Sequence, residues 1–390
     1  MARAARLLIT NADIYVPGSI VRRGSMLVDE RGKIEAVTEA GRLPSADGAV
    51  TIDAAGMRLL PGFVDVHVHG GNGFRMMNAT PRDVDEMSRF HAERGTTSFL
   101  ATTDADAEER LAAALGNAAD ARRRTLPGAA LLGVHLEGPY LDAGRGGAMD
   151  RRSLRPPDRN ELRRLLAASE DSIRLVTMAP ELPGGMETVS WLADRDITVS
   201  IGHSDATYDQ VMEAVSRGAR HTTHHFNGMR PLHHREPGVA GAGLANPNLT
   251  TELIADGFHV HPAVAKLLFD VKGPEGVCLV TDAVQCAGLP DGEYGHCRMV
   301  GGMVMLQDGS SLAGSSLTTI QALRNMASFT GYSISRLLPA ITETPARQAG
   351  AADRKGSLVA GKDADFLLVD ANLTIEATYV EGREVYRKPV

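Results

Sequence analysis

The sequence has few cysteines, no long apolar run and no excess of basic charge, and each absence argues against a class of protein. It contains three cysteines, Cys278, Cys286 and Cys297, with no Cys-x-x-Cys pair, which does not fit a disulfide framework. No window of about 18 residues is uninterruptedly apolar, so we expect no membrane span. Lys and Arg total 41 against 48 Asp and Glu, a formal net charge of −7 that disfavours a nucleic-acid binder. The opening stretch MARAARLLITNADIYVPG has too short an apolar run for a secretory signal. We therefore expect a cytoplasmic protein that binds neither nucleic acid nor membranes.

Both ends of the chain have the pattern of antiparallel β-structure. Short apolar runs alternate with turn residues over residues 1–58, and the same pattern returns in DFLLVDANLTIEATYVEGREVYR near the carboxyl end. Neither end has enough strands for a core of its own. The sequence therefore predicts one small β-sandwich domain that residues 1–58 and 352–390 build together, and a second domain over residues 59–351.

The middle of the chain alternates strand-length apolar runs with stretches of helical period. Eight runs are strand candidates: 63–69, 98–103, 131–137, 174–179, 198–203, 221–227, 251–256 and 277–282. Val264, Leu267, Leu268 and Val271 show the helical spacing, and Pro262 precedes them at a helix-starting position. Eight strands separated by helices predict a closed (β/α)₈ barrel of the α/β class. Residues 315–330 would form the eighth helix, and residues 284–314 an excursion of hairpins.

Polar side chains interrupt these apolar runs near their carboxyl ends, which is where barrel enzymes hold their active sites. The interrupting residues are His67, His69, Glu137, His203, His224 and Asp282. One such histidine would be more simply a buried structural residue, but several on one rim indicate a divalent-metal site. Imidazole and carboxylate ligands suit zinc, iron, manganese or cobalt, and the sequence does not choose among them. Asp282 is either a further ligand, a structural carboxylate or the proton acceptor for an activated water.

The order of short motifs along the chain resembles the N-acetylglucosamine-6-phosphate deacetylase family of the amidohydrolase superfamily. The resemblance covers roughly residues 55 to 350 and depends on strings such as PGFVDVHVHGG, GVHLEGPYL, SIGHSDAT, THHFNGM, IADGFHVHP and LVTDA. It implies hydrolysis of the N-acetyl group of N-acetyl-D-glucosamine 6-phosphate to D-glucosamine 6-phosphate and acetate. It also implies one or two divalent metal ions per subunit, zinc first among the candidates.

The resemblance assigns roles to individual residues. Glu137, His203 and His224 match the main metal ligands, His67 and His69 match the ligands of a second metal with Glu137 as the bridge, and Asp282 matches the catalytic acid and base. Asn227, Gly228, Arg235 and His259 match substrate contacts. Arg235 corresponds to an arginine that reaches the neighbouring subunit's substrate, which implies a homodimer. In the loop that follows GPYL, Met149 stands where the family often has a histidine or another polar residue, so the choice between sugar epimers stays open.

Three alternatives remain beside this interpretation. The nearest is deacetylation of a related N-acyl hexosamine phosphate such as N-acetylgalactosamine 6-phosphate. A cyclic-amide hydrolase is disfavoured, because the fourth strand, RLVTMAPE, lacks the lysine that those enzymes use to bridge two metals. A non-catalytic barrel scaffold is disfavoured because such relatives lose ligands that this chain keeps.

Overall fold

A computed structural model describes residues 6–42 and 46–389 of the chain. Residues 1–5, 43–45 and 390, which belong to the predicted small domain, lie outside the described residues. The amino-terminal segment folds into β1 (Leu7–Val16), β2 (Ser19–Val28), β3 (Ile34–Thr38), β4 (Val50–Asp53) and β5 (Arg58–Pro61). A tight turn joins β1 to β2, and Gly18 provides its left-handed backbone with a φ of 73°.

Eight parallel strands follow, separated by helices. The parallel strands are β6 (Phe63–Val68), β9 (Thr96–Thr102), β10 (Ala130–Glu137), β11 (Ile173–Met178), β12 (Thr198–Ile201), β13 (His221–Thr222), β14 (Thr250–Ile254) and β15 (Val277–Val280). A small hairpin of β7 (Gly70–Gly71) and β8 (Phe74–Arg75) follows β6. These strands are buried on both faces, as the apolar runs predict.

The helices cover the barrel strands from outside. They are α1 (Pro81–Ala92), α2 (Glu108–Arg122), α3 (Arg159–Ala168), α4 (Gly185–Ala193), α5 (Tyr208–Ser216), α6 (Gly238–Ala245), α7 (Pro262–Gly276), α8 (Thr319–Thr330), α9 (Ile334–Leu337) and α10 (Glu343–Gln348). Capping boxes at Thr80 and Thr207 start α1 and α5, and Pro262 opens α7 as the sequence predicts. Within the described residues, no helix is long and apolar enough to cross a lipid bilayer.

The barrel closes next to its carboxyl-terminal rim. Strands run in the order β15-β14-β13-β12-β11-β10-β9-β6, and a parallel bridge between Val68 and Ala283 joins the two ends of the sheet. The backbone N–H of Asp282 donates to the carbonyl oxygen of His67 at 3.0 Å in this closure. The predicted (β/α)₈ fold is confirmed, and its closing seam lies at the predicted site.

Four of the candidate site residues, His69, His203, His224 and Asp282, lie just past their strands, not within them as the sequence predicts. β12, β13 and β15 end at Ile201, Thr222 and Val280, and the second residue after each end has a positive φ: 48° at His203, 28° at His224 and 51° at Asp282. A left-handed residue breaks the pleat, which is why the predicted strand 221–227 is reduced to two residues. This uncommon backbone conformation recurs at functional sites, where surrounding contacts hold it in place.

The rest of the chain adds a hairpin excursion and completes the terminal sheet. β16 (Gly292–Tyr294), β17 (Cys297–Val300) and β18 (Met303–Leu306) form the excursion, and β19 (Phe366–Val369), β20 (Ile375–Val380) and β21 (Arg383–Arg387) end the chain. β19 pairs with β5, so strands from both termini share one eight-stranded sheet. The sheet branches at β1, which pairs along one edge first with β4 and then with β5. Ile9, Met26 and Phe366 contribute to its common core.

Candidate metal centre and substrate cavity

Glu137, at the end of β10, lies between two groups of histidines. Its Oε1 is 3.3 Å from Nε2 of His203 and 3.2 Å from Nε2 of His224. Its Oε2 is 3.0 Å from Nε2 of His69 and 3.4 Å from Nε2 of His67. Each carboxylate oxygen therefore faces its own pair of imidazoles. This is the arrangement of a carboxylate that bridges two metal positions.

The first group fits a single divalent cation. Nε2 of His203 and Nε2 of His224 lie 3.0 Å apart, and both are near Glu137 Oε1. Tetrahedral ligation with bonds of about 2.0 Å places ligand atoms about 3.3 Å apart. Nδ1 of His203 donates to the carbonyl of Arg145 at 2.9 Å, and Nδ1 of His224 to that of Asn227 at 3.1 Å. These bonds keep the proton on Nδ1 and leave Nε2 free to bind a metal.

The second group contains His67, His69 and Asp282. Asp282 Oδ1 is 3.4 Å from Nε2 of His67 and 3.4 Å from Nε2 of His69. Nδ1 of His67 is 2.9 Å from Glu252 Oε2, and Nδ1 of His69 is 2.9 Å from Asp104 Oδ1. These three residues also fit a cation, on the opposite side of Glu137 from the first group.

The charges around Glu137 favour bound cations. Burial alone would raise the pKa of Glu137, but the imidazoles of His67, His203 and His224 lower it well below its ordinary value. Burial lowers the pKa of His69, and the carboxylates of Asp104 and Glu137 reverse this and raise it to about 10. The cluster therefore attracts positive charge strongly, and a divalent cation would compete with protons for it.

Two polar residues below the cluster have structural roles. Burial raises the pKa of Asp65 to about 7, and its Oδ2 accepts a hydrogen bond of 2.6 Å from Thr281, next to Asp282. His135 bonds to the carbonyl of Val66 at 3.0 Å and to the hydroxyl of Thr177 at 2.7 Å, and burial lowers its pKa to about 3. His135 therefore stays neutral and supports the strands.

A cavity of about 590 Å³ lies over the metal centre, and it brings most of the predicted substrate residues together. Met149, Asn227, Gly228 and His259 line it, together with His69, Glu137, His203, His224 and Asp282. His67 is fully buried and does not line it. Arg235 does not line it either: this arginine is exposed, and its Nη1 is 2.8 Å from Nε2 of His234.

The predicted substrate residues are fixed by short local contacts. Gly228 has a φ of 57°, and a Cβ there would lie 3.0 Å from His203 Nδ1, so a larger residue would be strained beside this imidazole. Nδ1 of His259 is 2.7 Å from Asp256 Oδ2. Burial lowers the pKa of His259, but the hydrogen bond and charge of Asp256 together with the charge of Asp282 outweigh burial and raise this pKa. Met149 accepts a hydrogen bond from the backbone N–H of Ala105 at its sulfur, at 3.4 Å.

Sequence reasoning missed the acidic partners of the second histidine pair. Asp104 directly follows the second predicted strand, so the rule that found Asp282 would have found it too. Glu252 lies inside β14 and below the rim. The feature that could have marked it is a charged residue within a strand that is otherwise uncharged and buried. Arg75 and His296 also line the cavity, and Arg75 forms an ion pair with Asp104. No motif in the sequence marks these two.

A bridging carboxylate between histidine pairs, beneath a cavity at the carboxyl rim of a (β/α)₈ barrel, defines the class of metal-dependent barrel hydrolases. The family model described as the amidohydrolase family matches residues 58–385. This chain belongs to the amidohydrolase family.

The most informative relatives are hexosamine-phosphate deacetylases. The chain is 39% identical over 387 residues to the N-acetylglucosamine-6-phosphate deacetylase of Bacillus subtilis (strain 168), covering 97% of each chain. It is also 39% identical over 329 residues to the N-acetylgalactosamine-6-phosphate deacetylase of Escherichia coli O157:H7, covering 83% of this chain and 87% of that one. A structure of a mutant Mycobacterium smegmatis N-acetyl-D-glucosamine-6-phosphate deacetylase in complex with N-acetyl-D-glucosamine-6-phosphate superposes with a TM-score of 0.90 at 31% identity, covering 98% of this chain and 100% of that one.

Proposed function

We propose that this chain hydrolyses the N-acetyl group of N-acetyl-D-glucosamine 6-phosphate, giving D-glucosamine 6-phosphate and acetate. The observation that carries the proposal is the position of Glu137 between two pairs of imidazoles, with Asp282 beside one pair and a cavity of about 590 Å³ above. The substrate identity is supported by the relatives, whose names include both the gluco and galacto 6-phosphates.

In the proposed mechanism, Glu137, His203 and His224 hold one divalent cation, zinc first among zinc, iron, manganese and cobalt. A cation bound there would polarise the amide carbonyl and lower the pKa of the attacking water. Asp282 accepts a proton from that water on a carboxylate oxygen as the water attacks the acetyl carbon. It then donates this proton to the nitrogen, which leaves as an amine instead of a high-energy amide anion.

The substrate contacts are part of the same proposal. Asn227, Gly228 and His259 orient the sugar phosphate, so that binding energy at the phosphate places the amide carbonyl over the metal centre. The carboxylate of Asp256 raises the pKa of His259, which favours an interaction of its imidazole with the dianionic phosphate. Arg235, outside the cavity of its own subunit, would complete the phosphate site of a partner subunit, which makes the working unit a homodimer.

We also propose a cytoplasmic location. It is supported by Cys278, Cys286 and Cys297, which are all free and buried, as is usual in a reducing compartment.

The test is a panel of substrates assayed with and without a chelator, with free amine and acetate as the readouts. The panel contains the 6-phosphates of N-acetylglucosamine, N-acetylgalactosamine and N-acetylmannosamine, and unphosphorylated N-acetylglucosamine. We expect the highest kcat/KM for N-acetylglucosamine 6-phosphate, and no turnover after chelation. Equal rates with phosphorylated and unphosphorylated sugars would rule out the phosphate site. A higher kcat/KM for N-acetylgalactosamine 6-phosphate would make this sugar the substrate instead. It is the second candidate, because the Escherichia coli relative is named as its deacetylase.

A further inference from the structure

A second cleft, of about 730 Å³, lies at the amino-terminal face of the barrel. Arg220 directly precedes β13, Thr250 begins β14 and Gly276 directly precedes β15, and all three line this cleft. Parallel barrel strands begin at this face, whereas the candidate metal centre lies at the carboxyl rim. Among residues 6–42 and 46–389, the two cavities have no lining residue in common. The cleft is therefore a separate candidate site.

Three basic residues of the cleft lack a carboxylate partner. Arg220, Lys272 and Arg347 line it, and their head groups donate to uncharged oxygens, a hydroxyl at 2.7 Å and backbone carbonyls at 2.5 and 2.6 Å respectively. Within the part of the chain that the structure describes, none of the three forms an ion pair. Glu275 is the only acidic residue among the described lining residues. The cleft therefore has a net positive charge, in a chain whose formal net charge is −7.

The pKa of Lys272 shows the effect of the missing partner. Lys272 is partly buried, and burial lowers its pKa to about 8. Burial alone would also lower the pKa of Lys355, but three carboxylates around that lysine raise it. Burial lowers the pKa of Arg220 too, and the charge of Asp196 only partly opposes this. A bound anion would supply the negative charge that these two cations of the cleft lack.

A buried amide at the wall of the cleft indicates a second property of the ligand. Gln348 is 3% exposed and lines the cleft, and its Oε1 has no hydrogen-bond partner among the described residues. Its Nε2 donates to Oγ1 of Thr250 at 3.1 Å. A buried carbonyl without a donor is energetically costly, and a hydroxyl group of a ligand would supply the donor. A ligand that satisfies this wall therefore has hydroxyl groups as well as negative charge.

We propose that this cleft binds a phosphate monoester that also has free hydroxyl groups, such as a hexose phosphate or a nucleoside monophosphate. Arginine and lysine are the side chains that bind phosphate, and their charge-assisted hydrogen bonds are the strong ones. Leu244 and Val271 give the cleft an apolar wall for a ring. A volume of about 730 Å³ is within the range of small-molecule sites.

The test is isothermal titration calorimetry of the whole protein with inorganic phosphate, glucose 6-phosphate, adenosine monophosphate and unphosphorylated glucose. Wild type is compared with Lys272→Met and with the control Lys266→Met. Lys266 lies on the same helix, α7, but pairs with Asp270 at 2.6 Å. Because the cavity over the metal centre is unaltered in both variants, a binding event that is weakened only in Lys272→Met belongs to the cleft.

We expect at least one of the two esters to bind wild type and Lys266→Met with equal affinity, and Lys272→Met about 10- to 100-fold more weakly, because a charge-assisted hydrogen bond is lost. The ester that binds more tightly identifies the source of the phosphate. Inorganic phosphate should bind the cleft more weakly than that ester, since it offers no sugar hydroxyl to Gln348. Unphosphorylated glucose should show no difference between the three proteins.

Three results would overturn the proposal: unchanged affinities in Lys272→Met, inorganic phosphate that binds as tightly as both esters, or glucose that binds as tightly as glucose 6-phosphate. Circular dichroism checks the fold of Lys272→Met. If that variant does not fold, Arg347→Gln replaces it, because Arg347 is exposed and its loss leaves the core intact. None of these measurements depends on turnover, so this proposal and the proposed function can fail independently.

Discussion

Nε2 of His203 lies 3.0 Å from Nε2 of His224, and in the neutral tautomers that donate from Nδ1 to backbone carbonyls neither Nε2 carries a hydrogen. Two lone pairs that face each other at this distance repel unless a cation lies between them. The third member of the set, Glu137 Oε1, is within 3.3 Å of both nitrogens. A cation bound between these nitrogens and Glu137 would remove this repulsion.

Chelation is expected to lower both activity and thermal stability. Since the cation binds only the folded arrangement, its removal takes away a stabilisation of about 3–4 kcal/mol at a free metal concentration of 100 to 1,000 times Kd. Differential scanning fluorimetry of the protein with and without chelator, followed by zinc addition, measures this effect. An unchanged melting temperature together with undiminished turnover would show that no cation is bound at Glu137.

Replacing Asp282 with Asn is expected to lower kcat by about 10²- to 10⁴-fold, because the amide cannot take the proton from water or return it to nitrogen. Its Oδ1 is 3.4 Å from both imidazoles of the second group, whereas the first group keeps all three of its ligands. Metal analysis of the same preparation is therefore expected to find the first site filled. Near-normal turnover by this variant would remove Asp282 from the proton transfer.

The fold was predictable because each barrel strand carries its own signal in a short window. An apolar run such as FVDVHV is buried on both faces, and polar residues at its carboxyl end mark the rim. The ends of the strands were less predictable. His203, His224 and Asp282 adopt left-handed backbone conformations that shorten the strands, and packing of the whole rim imposes these.

The sequence could not predict which acidic residues contact the histidines of the candidate metal centre. His67 and Glu252 are separated by 185 positions, and only the closed barrel brings them within 2.9 Å. No local pattern states which of several acidic residues faces an imidazole. By contrast, His69 and Asp104 each follow a neighbouring strand, so topology alone would have placed them on adjacent parts of the rim.

Lys355 is expected to be the most sensitive charged residue outside the site. Its fully buried ammonium is 2.9 Å from Asp365 and 3.0 Å from Asp363. Burial alone would lower the pKa of Lys355, and the carboxylates of Asp365, Asp363 and Glu381 raise it instead. Lys355→Met leaves the buried carboxylate of Asp365 without its cation, whereas Asp363 keeps its pair with Lys33, and the change should lower the free energy of unfolding by about 3–5 kcal/mol.

Lys33→Met is the matched control for this variant. Lys33 also pairs with Asp363, at 2.6 Å, but its side chain is 38% exposed. Such a pair contributes at most about 1 kcal/mol, because water screens the charges. Urea denaturation of both variants provides the comparison. Similar decreases in the free energy of unfolding of the two variants would mean that burial of Lys355 does not strengthen its ion pairs.

Arg235 is expected to act on the active site of the partner subunit, and mixed dimers can test this directly. Arg235→Ala should raise KM for the phosphorylated substrate, while Asp282→Asn is inactive for the reason given above.

When the two variants are unfolded and refolded together, half of the dimers are mixed. In each mixed dimer, the subunit that retains Asp282 faces an intact Arg235 from the other subunit. At low substrate concentration, activity should therefore rise to about one quarter of the wild-type value, because one site in four is complete. If Arg235 served its own subunit, or had no role in binding, mixing would restore nothing beyond the average of the two separate variants. Sedimentation of the mixture checks that dimers form. In the control mixture, Arg217→Ala replaces Arg235→Ala. Arg217 follows α5 and pairs with Glu213 of that helix at 2.9 Å.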